Sequence, residues 1–157
     1  MIWVTLLGAL CLFLYFFIAN PYRIHGDCME PAIKDGKLYF VNYLYDKFQS
    51  YKAGDIIIFR QEGKIWISRI IGLENQEIKI SDHMILINNT VYSDAVERNW
   101  QNWRYGDYGV DKSVKIPEGH VYVLSDNLSA HYDDSRVFGP ISDKMIIGKV
   151  WEMPFES

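Results

Sequence analysis

The chain has 157 residues, of which 49% are hydrophobic and 23% charged, and its formal net charge at pH 7 is −4. This composition excludes wholesale disorder, and the acidic balance gives no support to nucleic-acid binding, which usually shows a basic face. The two cysteines, Cys11 and Cys28, are too few for a disulfide-rich scaffold or a four-cysteine zinc site. The four histidines show no ligand spacing and the chain has no glycine-rich phosphate loop, so we predict neither a metal nor a cofactor.

The first twenty residues predict a membrane anchor. Residues 2–19 carry no charged side chain, and Asn20 and Pro21 end this apolar run. Its length lies at the short end of the roughly 17–25 residues that a spanning helix needs. We therefore predict a transmembrane helix over residues 1–20 and a tethered domain over residues 21–157.

Two alternatives to a retained anchor stay open. A cleavable signal peptide would need a basic start and small residues before the cut; no Lys or Arg precedes the run, although Ala19 is small. A lipoprotein anchor at Cys11 would need a small preceding residue, and Leu10 is not small. Arg23, the charged side chain nearest to the run, weakly favours a cytoplasmic location for the following domain under the positive-inside rule.

Downstream of Arg23 the pattern is that of short strands separated by turns. Residues 55–60 contain a continuous β-branched run, which is typical of a strand buried on both faces. Residues 64–72 alternate apolar and polar side chains after the turn-forming pair Glu62-Gly63. Many short strands of this kind predict an all-β sandwich or barrel. The predicted strands are Lys37–Tyr43, Asp55–Arg60, Lys64–Gly72, Glu77–Ile80, Met84–Ile87, Thr90–Tyr92, His120–Leu124 and Met145–Trp151.

Residues 93–116 form a polar and aromatic stretch with little periodicity, in which Trp100, Trp103 and Tyr105 lie close together. Aromatic side chains are ordinarily core material, so a packed surface loop is one interpretation. Contact with a membrane surface is the other, because Trp and Tyr are enriched where lipid meets water.

Four segments, in chain order behind the apolar N-terminus, resemble type I signal peptidases, the membrane-anchored Ser/Lys endopeptidases that remove signal peptides. The resemblance covers residues 1–73 and 119–150 and implies a signal-peptidase-like, mostly β domain. The segments are Gly26–Ile33 (GDCMEPAI, close to G-x-S-M-x-P-T-L), Gly54–Phe59 (GDIIIF, matching G-D-[IV]-[IV]-x-[FY]), Ile67–Gly72 (ISRIIG, close to [IV]-K-R-[VI]-[IV]-G), and Ser125–Asn127 with Asp134–Arg136 and Gly139-Pro140 (close to G-D-N … D-S-R-x-x-G).

The resemblance places Cys28 at the family's serine nucleophile and Ser68 at its lysine base, so both catalytic positions depart from the pattern. It also implies that Met29 and Pro31 shape the turn that presents residue 28, and that the backbone N–H of Cys28 is an oxyanion donor. Gly26 stands where some family members carry a second donor hydroxyl, a group that this chain lacks.

A cysteine at the nucleophile position changes the chemistry. A serine hydroxyl needs a base to take its proton, and Ser68 has no useful basicity at pH 7. A free thiol, with a pKa near ~8.5, is a few per cent ionised without help. The other interpretation of Cys28 is a small buried hydrophobe, which is how free cysteines often behave.

A replacement base is one hypothesis for the last segment. In the family, a serine of this segment hydrogen-bonds the lysine base. Counting forward from Asp126-Asn127 puts His131 at the position of that serine. Counting back from Asp134-Ser135-Arg136 puts Tyr132 there instead. An inward-pointing His131 would give a Cys28–His131 dyad, with Asp133 or Asp134 orienting the imidazole. The alternative is a solvent-exposed loop histidine.

The same segment also supplies residues expected to support the site. Asp134 and Arg136, with Ser135 between them, resemble the family's structural ion pair, and we expect this pair to hold the site rather than react. Asp126 and Asn127 are expected to fix the loop through Asx-type hydrogen bonds.

The resemblance implies a membrane-anchored endopeptidase that removes signal peptides from exported preproteins. Its domain would face outward from the cytoplasmic membrane, and its partners would be signal peptides and membrane lipid. Substrates would have small side chains at the first and third positions before the cut and would bind as an added strand. The alternative is a catalytically inactive homologue that binds exported peptides or a partner peptidase. Deliberate replacement of a serine by Cys28 is a third interpretation, which leaves Ser68 unexplained.

Overall fold

β-Strands make up most of the regular structure in the computed structural model, which describes residues 3–10, 20–44, 50–93, 96, 98–129 and 131–151. Helical structure among these residues is confined to residues 3–10, the short helix Ser135–Phe138 and a 3-10 turn at Asp143–Met145. The prediction of a mostly β chain is confirmed. The strands are β1 (Asn20–Arg23), β2 (Leu38–Asn42), β3 (Ile56–Gln61), β4 (Lys64–Gly72), β5 (Glu77–Ser81), β6 (Met84–Ile87), β7 (Thr90–Val91), β8 (Val114–Lys115), β9 (His120–Leu124), β10 (Ile141–Ser142) and β11 (Ile146–Trp151).

The described strands form two antiparallel sheets. The larger has the order β1-β2-β11-β3-β4-β9-β10, and the smaller has the order β7-β6-β5-β8. β11 lies between β2 and β3, with Val150 opposite Val41 and Lys149 opposite Ile57. β3 and β4, which are adjacent hairpin strands, are therefore central to the larger sheet.

β3 is covered on both of its faces. Successive side chains of a strand point to opposite sides. Ile56 and Ile58 accordingly pack in one apolar cluster with Met29, while Ile57 and Phe59 pack in a second cluster on the other face. All four β3 residues are at most 3% exposed. This burial explains the unbroken apolar run in the sequence and fastens the Met29 segment to the sheet.

A third apolar cluster joins the smaller sheet to β4 and β9. Trp103 belongs to it and is 7% exposed, and Trp100 packs against it. These contacts favour the packed-loop interpretation of residues 93–116, of which 94, 95 and 97 lie outside the described residues. The buried members of the cluster are Ile71, Ile78, Ile80, Ile85, Trp103, Ile116, Tyr122 and Leu124.

The predicted transmembrane helix is not confirmed. Residues 3–10 are helical, and Trp3, Val4 and Leu7 are between 64% and 84% exposed. Residues 11–19, including Cys11, lie outside the described residues. Within the described part of the chain, no helix has the length and apolar character needed to cross a bilayer. The division of the chain at residue 20 stays a prediction.

Candidate functional site

Cys28 lies in the turn that connects β1 to β2, and several features fix this turn. Gly26 has a φ of +105°, a conformation that favours glycine, and its N–H donates to the Asp35 carboxylate at 2.8 Å. Met29 is fully buried, and the peptide bond before Pro31 is cis. Residue 28 is thus presented from a turn with an apolar anchor directly after it.

The Cys28 thiol and the Ser68 hydroxyl point to the same acceptor. Cys28 Sγ lies 3.9 Å from the carbonyl oxygen of Ile67, and Ser68 Oγ donates to that oxygen at 2.7 Å. Ser68 is 1% exposed and lies on β4 opposite Ile57 of β3. The structure therefore brings the two positions together, with Ser68 acting as a hydrogen-bond donor that offers Cys28 no basic atom.

Burial raises the pKa of the Cys28 thiol to about 11, because the thiolate would lose its hydration in this place. A backbone hydrogen bond acts in the opposite direction, and the carboxylates of Asp27, Asp126 and Asp134 raise the pKa further. Activated cysteine nucleophiles have the opposite property, a pKa lowered toward or below neutrality. The Cys28 thiol is therefore protonated at neutral pH.

We expect the alkylation rate of Cys28 to keep rising at pH values where ordinary thiols have levelled off. Only the thiolate reacts, so the rate with iodoacetamide should increase about tenfold per pH unit up to pH ~10. It should level off near the thiol pKa of about 11. Cys11→Ser leaves Cys28 as the sole cysteine of the chain, and circular dichroism at each pH checks that the fold persists. A plateau close to that of a free thiol, near pH ~8.5, would contradict the raised pKa.

The structure places His131 against Tyr105. The two rings stack with centroids 4.7 Å apart and 29° between their planes, and they line a cavity of about 450 Å³ with residues 101–107. Asp133, one of the two carboxylates expected to orient the imidazole, accepts a hydrogen bond from the Tyr105 hydroxyl at 2.8 Å. None of the described hydrogen bonds joins His131 to Cys28, and the dyad stays a prediction.

Asp134 and Arg136 form a fully buried ion pair. Arg136 donates from Nε to Oδ1 and from Nη2 to Oδ2 of Asp134, each at 2.9 Å. Asp134 Oδ2 also accepts from the backbone N–H of Ser125 at 3.0 Å, and Ser135 Oγ accepts from the backbone N–H of Val123 at 2.9 Å. These bonds fasten the short helix to the end of β9, which is a structural role.

Asp126 is buried and paired with an arginine that the sequence analysis did not single out. Arg69 donates from Nε to Oδ1 at 2.9 Å and from Nη2 to Oδ2 at 2.7 Å, and its Nη1 donates to the Gly54 carbonyl at 2.8 Å. Arg98 Nη2 lies 3.9 Å from the same carboxylate. The sequence does contain a signal for this pair, namely an arginine within an apolar strand. A buried guanidinium needs a carboxylate partner. The pair connects the strand that bears Ser68 to the loop after β9.

Asn127 connects that loop to the Cys28 turn. Its backbone N–H donates to the Cys28 carbonyl at 2.9 Å, and its side-chain amide donates to the Asp27 carbonyl at 3.2 Å. Its side-chain oxygen accepts from the Ser129 N–H at 3.1 Å, which is an Asx-type bond. Tyr132 donates its hydroxyl to the Asp27 carboxylate, a contact that sequence reasoning missed.

Potential metal ligands are scattered in the described part of the chain. No three His, Cys, Asp or Glu side chains there are grouped so that they could hold a metal ion.

Comparison with known proteins shows similarity to signal peptidases along most of the chain. Signal peptidase IB of Staphylococcus aureus is 29% identical over 147 residues, which cover 85% of this chain and 76% of the relative. Signal peptidase I V of Bacillus subtilis is 28% identical over 138 residues, which cover 82% of each chain. A crystal structure of a signal peptidase I from Enterococcus faecalis has 24% identity and a TM-score of 0.49, and covers 64% of this chain and 97% of that chain. The sequence profile of the family described as signal peptidase, peptidase S26, matches residues 1–154, and the chain therefore belongs to this family.

Proposed function

We propose that this chain binds the signal-peptide region of exported preproteins, as signal peptidases do, and does not by itself cleave it at an appreciable rate. Family membership supports the substrate class. The observation that supports the absence of cleavage is the partly buried, protonated thiol of Cys28, which shares the Ile67 carbonyl with Ser68.

The chemistry of peptide hydrolysis explains why this arrangement disfavours cleavage. An attacking group must lose its proton to a nearby base. The Ser68 hydroxyl is itself a donor to Ile67 and cannot accept a proton at neutral pH. With a thiol pKa of about 11, only roughly one Cys28 in 10⁴ is ionised at pH 7. The nucleophile position is therefore occupied by a group that neither carries charge nor meets a base.

The proposed binding follows the family's arrangement. The preprotein segment would lie as an added strand beside Cys28, with small side chains at the first and third positions before the family's cleavage point. The apolar residues 2–19 would anchor the chain in the cytoplasmic membrane, with the β domain on its outer face.

Slow cleavage by Cys28 is the second candidate function. One observation favours it: Cys28 is a free cysteine that is only partly buried on its turn. This activity would grow with pH, because the thiolate fraction grows.

Crosslinking and cleavage, measured together, test the proposal. The full chain in lipid vesicles would be incubated with a model preprotein carrying a photoreactive residue beside its cleavage point, and an active signal peptidase would confirm that the substrate is competent. We expect equal crosslinking to the parent chain and to Cys28→Ala, and cleavage by neither. The crosslink should weaken when large side chains replace the small ones at the first and third positions.

Two results would contradict this expectation. Cleavage by the parent chain that is lost in Cys28→Ala would establish the second candidate. Absence of a crosslink that depends on the small side chains would overturn the binding itself.

A further inference from the structure

The turn that carries Cys28 is fastened by the loop that follows β9. Asn127 donates its backbone N–H to the Cys28 carbonyl at 2.9 Å and its side-chain amide to the Asp27 carbonyl at 3.2 Å. Tyr132 donates its hydroxyl to the Asp27 carboxylate. The third bond is the one that joins two side chains, so a substitution can remove it without altering either backbone.

Two further side chains contact the backbone of this loop. The fully buried Arg136 donates from Nη2 to the Tyr132 carbonyl at 3.5 Å, and the Asn102 side-chain amide donates to the Ser129 carbonyl. Arg136 is itself fixed by its ion pair with Asp134. These contacts tie the backbone of the loop, including that of Tyr132, to buried and partly buried side chains.

The carboxylate that Tyr132 holds is the one adjacent to the thiol. Asp27 directly precedes Cys28, and it is the foremost of the three carboxylates whose charge acts on the sulfur. The other two, Asp126 and Asp134, are each paired with a buried arginine. The Asp27 charge therefore acts on the thiol from a place that its hydrogen bond to Tyr132 defines.

We propose that Tyr132 and Asp27 form a latch that positions the Cys28 turn and limits the exposure and reactivity of its thiol. Both are positioning residues, because they act through Cys28. The inference rests on the proposed function, in which peptide binds beside a thiol that does not attack it. When the latch is broken, the turn opens more often and the sulfur is more exposed to solvent.

Alkylation of Cys28 in the full chain, in a Cys11→Ser background, tests the latch. Tyr132→Phe should raise the iodoacetamide rate at fixed pH roughly fivefold, the effect of one ordinary hydrogen bond on a local opening equilibrium. Asp27→Ala should raise the rate further, since it also removes the charge beside the thiol and moves the pH profile to lower pH. The double variant Asp27→Ala/Tyr132→Phe should react no faster than Asp27→Ala, because partners in one contact are not additive.

Two further variants separate the loss of the Tyr132–Asp27 hydrogen bond from other effects on the alkylation rate. Tyr105→Phe removes a phenol hydrogen bond to Asp133 in the same region without touching Asp27, and should leave the rate unchanged. Asp27→Asn keeps an acceptor oxygen for Tyr132, and should move the pH profile without the fivefold opening effect.

A Tyr132→Phe rate within twofold of the Tyr105→Phe rate would overturn the latch, and so would fully additive effects in the double variant. The measurement uses no peptide, so its failure would leave the proposed binding of preproteins standing. Loss of the photocrosslink would likewise leave the alkylation result intact.

Discussion

A chain that carries both Cys28→Ser and Ser68→Lys should cleave a model preprotein that the parent chain leaves intact. The introduced side chain would start from the position of Ser68, whose hydroxyl meets the Ile67 carbonyl, the oxygen toward which Cys28 Sγ also points. Residue 68 is 1% exposed, and burial lowers the pKa of a lysine, so the amine can take the proton of the new hydroxyl. A positioned general base contributes roughly 10²–10⁴-fold in rate, and we expect a gain of that order in preprotein cleavage.

The matched control replaces Ser68 with methionine in the same Cys28→Ser chain. Methionine has a long side chain without the amine, so this variant separates the effect of volume from that of the base. Cys28→Ser alone should be inactive, because its hydroxyl meets no base. If the lysine variant shows no more cleavage than the methionine variant, and both unfold like the parent chain, a missing base is not what silences the site.

Asp134→Ala should lower the free energy of unfolding by about 3–5 kcal/mol, the usual cost of leaving one member of a buried ion pair without the other. The change leaves the guanidinium of Arg136, which is 0% exposed, without its carboxylate partner. It also removes the acceptor for the backbone N–H groups of Ser125 and Arg136. Urea unfolding followed by tryptophan fluorescence measures the loss.

Asp133→Ala is the neighbouring control. The Asp133 carboxylate accepts one hydrogen bond from the partly exposed Tyr105 hydroxyl, so its removal should cost about 1 kcal/mol or less. If Asp134→Ala lowered the free energy of unfolding as little as Asp133→Ala does, the ion pair would contribute nothing beyond an ordinary surface contact.

Strands with a strong pattern of their own could be predicted from the sequence. The strand predicted at residues 55–60 is found as β3 at Ile56–Gln61, one residue later at each end, because unbroken β-branched side chains suit a strand that is buried on both faces. The predicted strand Lys64–Gly72 is confirmed at the same bounds as β4. β1, β8 and β10 were missed, since each has only two to four residues and is defined by its pairing partner.

Contacts between segments that are distant in the sequence could not be predicted from local sequence patterns. Arg69 meets Asp126 across 57 positions and Tyr132 meets Asp27 across 105 positions, and neither pair shares a local motif. Side-chain direction in the loop after β9 decides the second contact. A one-residue offset there exchanges His131 for Tyr132, and motif counting left that offset open.

β11 has a consequence for the order in which the protein is assembled. It pairs with β2 on one side and with β3 on the other, and its Val150 belongs to the same apolar cluster as Met29. The ribosome releases this strand after every other described element. Until then β2 and β3 have no neighbour between them, and the cluster next to Cys28 is open on one side. The Cys28 turn thus precedes most of the described strands in the chain, yet its surroundings are completed only when the last of them pairs, a delay imposed by non-local strand pairing.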